Sequence, residues 1–351
     1  MHRPPRALRR PFAIVAAALA LWGAAGPANA QSIPDTFDRV RDAVVLVETR
    51  QQELAPQGPG QMLTVDGIGS GVLVDRLGII LTAAHVIQAA EAIEVTFRNG
   101  DKYNATVMAS EPNADVAALK LEKPIAGATV AKLGDSDQVR VGEEIFIVGA
   151  PLGITYSLSV GHIGARRQAD QVWGGLSAAE IFQTDAVINR GNSGGPMFNL
   201  KGEVIGIVSN MVSGTGGWEG LGFVVTSNVA RQLVLEQRTM WTGMEGFLLQ
   251  GKLAKAFNLP QSHGILVQRV APDSPASRIG LKAGVVRASI DEREIILGGD
   301  IILKVLGMEV KPENQKRIRS MLASLVPGER VTVTVLRGGE VVELQSVMPT
   351  S

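Results

Sequence analysis

No cysteine occurs anywhere in the 351 residues. That excludes a thiol nucleophile, a lipidated cysteine and a zinc–thiolate site. A chain bound for an oxidising compartment must then hold its fold without disulfides. Beyond the N-terminal leader, no apolar run reaches the ~18 residues that would span a bilayer. Histidine is scarce as well, at four, so a general base has few candidates. Charge of either sign is not in excess: the formal net charge is 0, and without the first thirty residues, which hold four arginines and no acid, it is −4. Such mild acidity offers no footprint for nucleic acid or an anionic lipid surface.

What is present begins with a leader. "HRPPRALRR" is basic, "PFAIVAAALALWGAAG" is apolar, and "ANA" at Ala28 to Ala30 has the small-x-small form of a signal-peptidase site. Residues 1–30 are expected to be removed, leaving Gln31 first and the protein exported. A retained membrane anchor is the alternative, but the run is short for a span and ends in Gly and Pro.

The remaining length suits two domains. From Ala43 to Val225 short β-type runs follow one another between Gly, Pro and Asp, as in "AVVLVETR", "GSGVLVD", "DVAALKL", "EEIFIVGA" and "GEVIGIVS". "IEVTFRNGDKYNATV" reads as a hairpin turning at Asn99-Gly100. Strands without long intervening helices argue for an all-β barrel or sandwich. "TSNVARQLVLEQ" reads as a closing helix capped at Thr226 or Ser227. We expect domains over 31–238 and 240–350. The second is α+β, with strands "GILVQRV" and "DIILKVLG", an amphipathic helix "PENQKRIRSMLASL" and a hairpin turning at Gly338-Gly339.

The most informative stretch is "QTDAVINRGNSGGPMFN", Gln183 to Asn199. One hydroxyl, Ser193, stands between Gly-Asn and Gly-Gly-Pro. A glycine-rich turn joining two strands would look like this. So would a nucleophile whose small neighbours let a substrate backbone approach. A serine nucleophile needs a base. His2 lies in the leader and His263 in the second domain, which leaves His162 in "SVGHIGA" and His85 at the end of "GIILTAAHVI". His85, where a strand gives way to a helical turn, has the better setting. The orienting acid is Asp115, opening "DVAALKL", unless that residue merely caps its turn; Asp185 in "QTDA" is the rival. The order His85, Asp115, Ser193 is the chymotrypsin-type order, and an all-β domain of about 200 residues suits it. The N–H groups of Gly191 and Ser193 would then face a developing oxyanion.

Together "TAAHVI", "NADVAALKL", "QTDAVINRGNSGGP", "GEVIGI" and "LGFVV" resemble the HtrA/Deg family of serine proteases, and "GILVQRVAPDSPASRIGLKAG" with "GDIILKVLG" resembles its PDZ domain. The resemblance implies a mainly β chain, a chymotrypsin-like double β-barrel followed by one α+β PDZ domain. It implies a triad of His85, Asp115 and Ser193, with Gly191, Asn192 and Ser193 as the oxyanion segment. It also implies a primary pocket over Val187, lined by Ile188, Met211 and Leu221. The implied activity is ATP-independent endoproteolysis of misfolded exported proteins in the periplasm, without metal or cofactor. C-terminal peptides would bind the PDZ domain and the assembly would be a homotrimer. A holdase or PDZ peptide sensor with an idle protease domain is the alternative.

Two departures stand out. The PDZ carboxylate loop of the family is apolar-Leu-Gly-apolar, whereas here Met244 is followed by Glu245, Gly246 and Phe247. An acid facing the groove would repel a carboxylate. Residues 285–298, "VVRASIDEREIILG", lengthen a junction that is tight in many relatives. They read as a surface loop, with a regulatory element as the alternative. Finally, Phe37, Val40 and Val44 form an apolar stripe too short to be stable alone. It needs either its own barrel or a partner subunit to cover it.

Overall fold

Alternating apolar residues close the first of two barrels. The computed structural model describes residue 2 and residues 32–55, 61–150, 156–173, 179–211, 220–290 and 293–347. The expected leader over 1–30 lies, apart from His2, outside them. Strands β1 (Val44–Leu54), β2 (Met62–Asp75), β3 (Ile79–Thr82), β4 (Ala90–Thr96), β5 (Lys102–Glu111) and β6 (Val116–Leu121) form a closed barrel in the order β1-β2-β3-β6-β5-β4. The expected hairpin is β4–β5, with Val95 opposite Tyr103, and Phe97 N–H bonded to Asp101 O across the turn. Its inward residues Ile93, Val95 and Phe97 are buried with Leu73, Ile80 and Leu119, as period-2 patterning requires.

The second barrel holds β7 (Lys132–Leu133), β8 (Glu144–Gly149), β9 (Ser157–Gln168), β10 (Glu180–Thr184), β11 (Pro196–Asn199), β12 (Glu203–Met211) and β13 (Gly222–Thr226). The ring runs β11-β8-β9-β10-β13-β12, closes through β11–β12, and carries β7 on β12. Phe146 and Phe198 stack at its core, 5.2 Å between centroids. One apolar cluster crosses between the barrels, joining Val72, Leu81 and Val116 to Phe146, Phe198 and Val225.

Helix α1 (Ile33–Val40) answers the question about its stripe. Thr36 and Val40 are buried, the Thr36 hydroxyl donates to Leu200 O at 3.1 Å, and Ile33 and Phe37 pack against the barrel core. Val40 and Val44 are covered by their own chain, and Phe37 in part. α2 (Ala84–Ile87) follows β3, and α3 (Ala169–Trp173) lies between β9 and β10. After β13, α4 (Ser227–Ala230) continues as a π-helical turn over Arg231–Glu236. Its expected cap differs in detail: Thr226 makes no side-chain capping bond, and the Ser227 hydroxyl turns away to Gly134 O at 2.9 Å.

The C-terminal unit is a sheet of β14 (Met244–Gln250), β15 (His263–Val270), β18 (Ile301–Val305), β20 (Arg330–Arg337) and β21 (Glu340–Val347), with β19 (Met308–Glu309) beside β18. Helices α5 (Gly251–Ala256), α6 (Pro275–Arg278) and α7 (Gln315–Ala323) flank it. The 285–298 segment is not a plain surface loop. It is a hairpin of β16 (Val286–Ile290) and β17 (Arg293–Leu297) whose Ile295 and Ile296 are buried. Ile295 and Ile296 are consecutive, so both faces of β17 are covered where it lies beside β15.

Polar contacts join this unit to the first barrel. Buried Gln88 donates to Met244 O at 2.7 Å, accepts from the Ser110 hydroxyl at 2.8 Å, and receives Trp241 Nε1–H on its carbonyl. Arg287 donates to Leu54 O at 2.8 Å, and Arg269 stands between Glu53 and Glu245. Glu111, 3% exposed, pairs with Arg319 of α7 at 2.7 Å. Arg319→Ala leaves that buried carboxylate with only Asn113 beside it, a loss on the order of 3 kcal/mol. We expect the two units to separate, read as a larger radius of gyration in small-angle X-ray scattering; an unchanged radius would show that the other contacts suffice.

Candidate active site

His85 is the second residue of α2, where the buried run of β3 ends and the chain turns into the cleft. Asp115 ends the β5–β6 turn, closed by Ala114 N–H to Glu111 O and Asp115 N–H to Pro112 O. Its φ of +55° is one that a short polar side chain tolerates. The carboxylate does not cap its own turn; it reaches across to the histidine. Oδ1 accepts His85 N–H at 2.9 Å, and both oxygens lie 2.9 Å from Nδ1. A carboxylate there keeps the proton on Nδ1 and leaves Nε2 as the acceptor. The aspartate side chain is 14% exposed and the imidazole 51%, so the acid is largely shielded and the ring faces the cleft.

Packed protein around His85 disfavours the imidazolium, but the charge and hydrogen bond of Asp115, with a smaller contribution from Glu245, outweigh this and raise its pKa. For Asp115, burial pushes upward, and the His85 charge with bonds from His85 and Ser209 overcomes it, holding the carboxyl below its usual range.

Ser193 arrives from the other barrel. Its loop is anchored by Gly194 N–H to Val208 O at 2.7 Å and by Ser70 N–H to the Ser193 carbonyl at 2.8 Å. Gly194 is required here: φ is +83°, and a Cβ would lie 2.2 Å from Thr82 Oγ1 and 2.3 Å from Ser70 O. Gly191 has φ +100° and its carbonyl accepts the Ser70 hydroxyl at 2.7 Å, which fixes its peptide plane. Among the described residues no group accepts from the Gly191 or Ser193 N–H. The Ser193 hydroxyl donates to Ser209 O at 3.2 Å rather than to the imidazole. The Ser209 hydroxyl in turn donates to Asp115 Oδ2 at 2.5 Å. Ser209 thus touches both parts of the site by separate groups, its carbonyl on Ser193 and its hydroxyl on Asp115.

The rivals fall elsewhere and pair with each other. Asp185 accepts His162 N–H at 2.6 Å and lies 3.5 Å from its Nδ1, both side chains being more than half exposed. That backbone bond is the main reason the Asp185 carboxyl titrates low. His263 contacts Ser262 in the second unit.

Of the expected pocket residues, Val187 and Leu221 are exposed, at 43% and 39%. Ile188 packs in the second barrel's core with Phe182 and Val224, and the Met211 side chain lies outside the described residues. In the C-terminal unit a cavity of about 290 Å³ lies between β14 and α7, lined by Met244, Gly246, Leu248, Ile318 and Leu322, with Glu111 and Arg319 at one wall. Glu245 is not part of that lining; its carboxylate pairs with Arg269 at 2.5 Å. Phe247 packs on the opposite side with Leu249 and Leu266. Sequence reasoning missed Ser70, Gln88 and Ser209. Their one signal is a polar residue inside an apolar strand or turn.

The trypsin-like peptidase domain family matches residues 69–207, and the PDZ domain family matches residues 220–346. The latter match begins ahead of β13, which belongs to the second barrel. The periplasmic pH-dependent serine endoprotease DegQ of Escherichia coli (strain K12) is 34% identical over 304 residues, 84% of this chain and 62% of that one. A probable periplasmic serine endoprotease DegP-like of Marinomonas sp. (strain MWYL1) is 34% identical over 72% of this chain and 54% of its own length. The chain therefore spans only a little over half the length of these curated relatives. The solved structure of the HtrA-type protease AlgW with tripeptide is 30% identical, with a TM-score of 0.52, covering 91% of this chain and 98% of that one.

Asp115 is expected to govern the His85 titration. NMR of the ring protons should place the midpoint above about 6.5, and Asp115→Asn should lower it. Because pairing raises the folded-state value, the contact's stabilisation is complete below the unfolded-state value and fades as pH rises through the folded one. A midpoint unmoved by Asp115→Asn would remove the carboxylate from that role.

Proposed function

On the premise that the chain belongs to the HtrA-type family, trypsin-like proteases carrying a PDZ domain, we propose that it is a serine endopeptidase. Its triad is His85, Asp115 and Ser193. The observation that carries this reading is the Asp115 carboxylate on His85 Nδ1, with Ser209 bonded both to that carboxylate and to the Ser193 hydroxyl.

The steps follow from that geometry. The Ser193 hydroxyl leaves the Ser209 carbonyl and turns to His85 Nε2, which takes its proton as Oγ attacks the peptide carbonyl. Asp115, held by donors from both barrels, stabilises the imidazolium without itself becoming protonated. The free N–H groups of Gly191 and Ser193 receive the oxyanion, where each donor is worth about 10²–10³ in rate. His85 then returns the proton to the leaving amine, and water repeats the cycle on the acyl-enzyme.

Ser193→Ala or His85→Ala should abolish cleavage of unfolded casein, and Asp115→Asn should lower turnover by up to about 10⁴. His162→Ala and Asp185→Asn should leave turnover near normal; loss of activity in either would redraw the triad. The base must be neutral, and its pKa is raised, so kcat/KM should fall as pH drops through a midpoint above about 6.5.

The primary pocket is assigned to Val187, Ile188, Met211 and Leu221. No carboxylate stands at the position six before the nucleophile, and Val187 and Leu221 offer exposed apolar surface. Cleavage should follow Val, Ala, Leu and similar residues, each methyl-sized difference being worth roughly 1–3 kcal/mol. Peptide mapping dominated by cuts after Lys or Arg would overturn this.

The proposed setting is the periplasm, entered by way of a cleaved leader over 1–30, with protease and PDZ domains over 31–238 and 240–350. Relatives named as periplasmic endoproteases support it, and among the described residues no helix is long and apolar enough to cross a membrane. Misfolded exported polypeptides are the proposed substrates, degraded without ATP. The groove between β14 and α7 would take C-terminal peptides, and the pairing of Glu245 with Arg269 removes the repulsion that its sequence position suggests. A homotrimer is proposed on family grounds; intact mass of the exported protein tests the leader, and light scattering tests the trimer. A second reading, a holdase or peptide sensor with an idle protease, draws on the Ser193 hydroxyl bonding to Ser209 instead of His85. Equal casein cleavage by the wild type and Ser193→Ala would decide against the protease.

A further inference from the structure

The catalytic base rides on one turn of helix. α2 has four residues, and a turn of that length has no stability of its own. Its N-cap, Ala83, has no side chain to bond the free N–H groups. Burial of Ala84, Val86 and Ile87 holds one face, but apolar contact is non-directional and does not by itself fix the rotation of the turn.

Directional contacts act at its two ends. At His85 they come from the Asp115 carboxylate. At the other end they come through Gln88, the buried C-cap residue. Its amide oxygen accepts the Ser110 hydroxyl at 2.8 Å, and its amide nitrogen donates to Met244 O at 2.7 Å. The two amide atoms cannot be exchanged, because a carbonyl only accepts and the nitrogen must therefore face Met244. The Gln88 carbonyl is itself held by Trp241 Nε1–H at 3.2 Å.

Ser110 matters because of where it sits. It is fully buried near the end of β5, five residues before Asp115, at the foot of the turn that Glu111 opens and Asp115 closes. Its N–H donates to Thr239 O at 2.9 Å, and it pairs across the ladder with Ala117 of β6. Among the described residues, the bond from Ser110 to Gln88 is the one hydrogen bond between α2 and the β5–β6 hairpin that Asp115 does not make. Base and orienting acid are thus braced twice, once directly and once through a buried amide three residues beyond the histidine.

We propose that Gln88 is a positioning residue for the catalytic base: its amide ties the helical turn of His85 to the hairpin of Asp115 and keeps Nε2 in place while the proton passes from Ser193 to the leaving amine. The proposal rests on the protease reading. A shift of about 1 Å in a reacting group can lower a rate by about 10², and an amide deprived of Ser110 must turn to find another donor, taking the end of α2 with it. The plainer role, a seat for the C-terminal unit through Met244, uses the other end of the same amide.

Ser110→Ala separates the two roles, since it cuts the brace and leaves the bond from Gln88 to Met244 in place. Its kcat on labelled unfolded casein should fall roughly ten- to a hundredfold with KM held within about twofold. The radius of gyration in small-angle X-ray scattering should stay that of the wild type. In NMR, the low-field proton signal of His85 Nδ1–H should broaden or vanish. Gln88→Met, similar in length and without the amide, should lower kcat as far, and the double variant no further than either alone, because both remove one interaction. Wild-type kcat in both single variants overturns the proposal, as does an additive loss in the double variant. A loss confined to Gln88→Met, with an enlarged radius, would leave Gln88 only as a seat and overturn it as well. If the wild type itself fails to cleave casein, the protease reading falls, whereas an unaltered His85 signal in Ser110→Ala would count against the brace on its own.

Discussion

A carboxylate taken out of water must find donors, and Asp115 finds them on both barrels. His85 N–H and Nδ1–H come from the first, and the Ser209 hydroxyl comes from the second. An unpaired buried charge would be far more unfavourable than any one of these bonds is favourable. The acid therefore works as a constraint on the cleft: the barrels can satisfy it only in the relative position that also brings the Ser193 loop against β2. The same position is reinforced from the backbone side by Ser70, whose N–H and hydroxyl hold the Ser193 and Gly191 carbonyls. Apolar packing across the barrels supplies the bulk of the attraction, while these few polar contacts select the geometry.

The C-terminal unit is joined to that cleft by groups with little freedom. Gln88 stands three residues after His85 and is bonded on every polar atom of its side chain and on its carbonyl. Glu111, which pairs with α7, opens the turn that ends at Asp115. Arg287 of the β16–β17 hairpin reaches the end of β1. The β16–β17 hairpin is thereby tied to the first barrel through Arg287, which also pairs with Glu53.

Much of this was legible in the chain. Period-2 patterning identified the β4–β5 hairpin and the barrel strands, and the Asn99-Gly100 turn set their pairing. The glycines around Ser193 marked a backbone conformation that other residues could not adopt. Four histidines and no cysteine narrowed the chemistry by elimination. These signals are local: each depends on residues within a few positions of one another, and each is written in propensity, spacing or side-chain type.

What was not local had to wait for the tertiary structure. Along the chain His85 and Asp115 were preferred to His162 and Asp185 only by their local setting, and the folding of two sheets showed that the rivals pair with each other on a surface. Ser209 lies 94 residues from Asp115, and nothing near it announces the contact. The direction of Glu245 and the cover for Val40 are likewise settled by which elements become neighbours. Sequence by itself determined the strands, the turns and the kinds of chemistry available. Tertiary structure decided which groups share a desolvated space, because burial and charge pairing act through distance in space and are indifferent to distance along the chain.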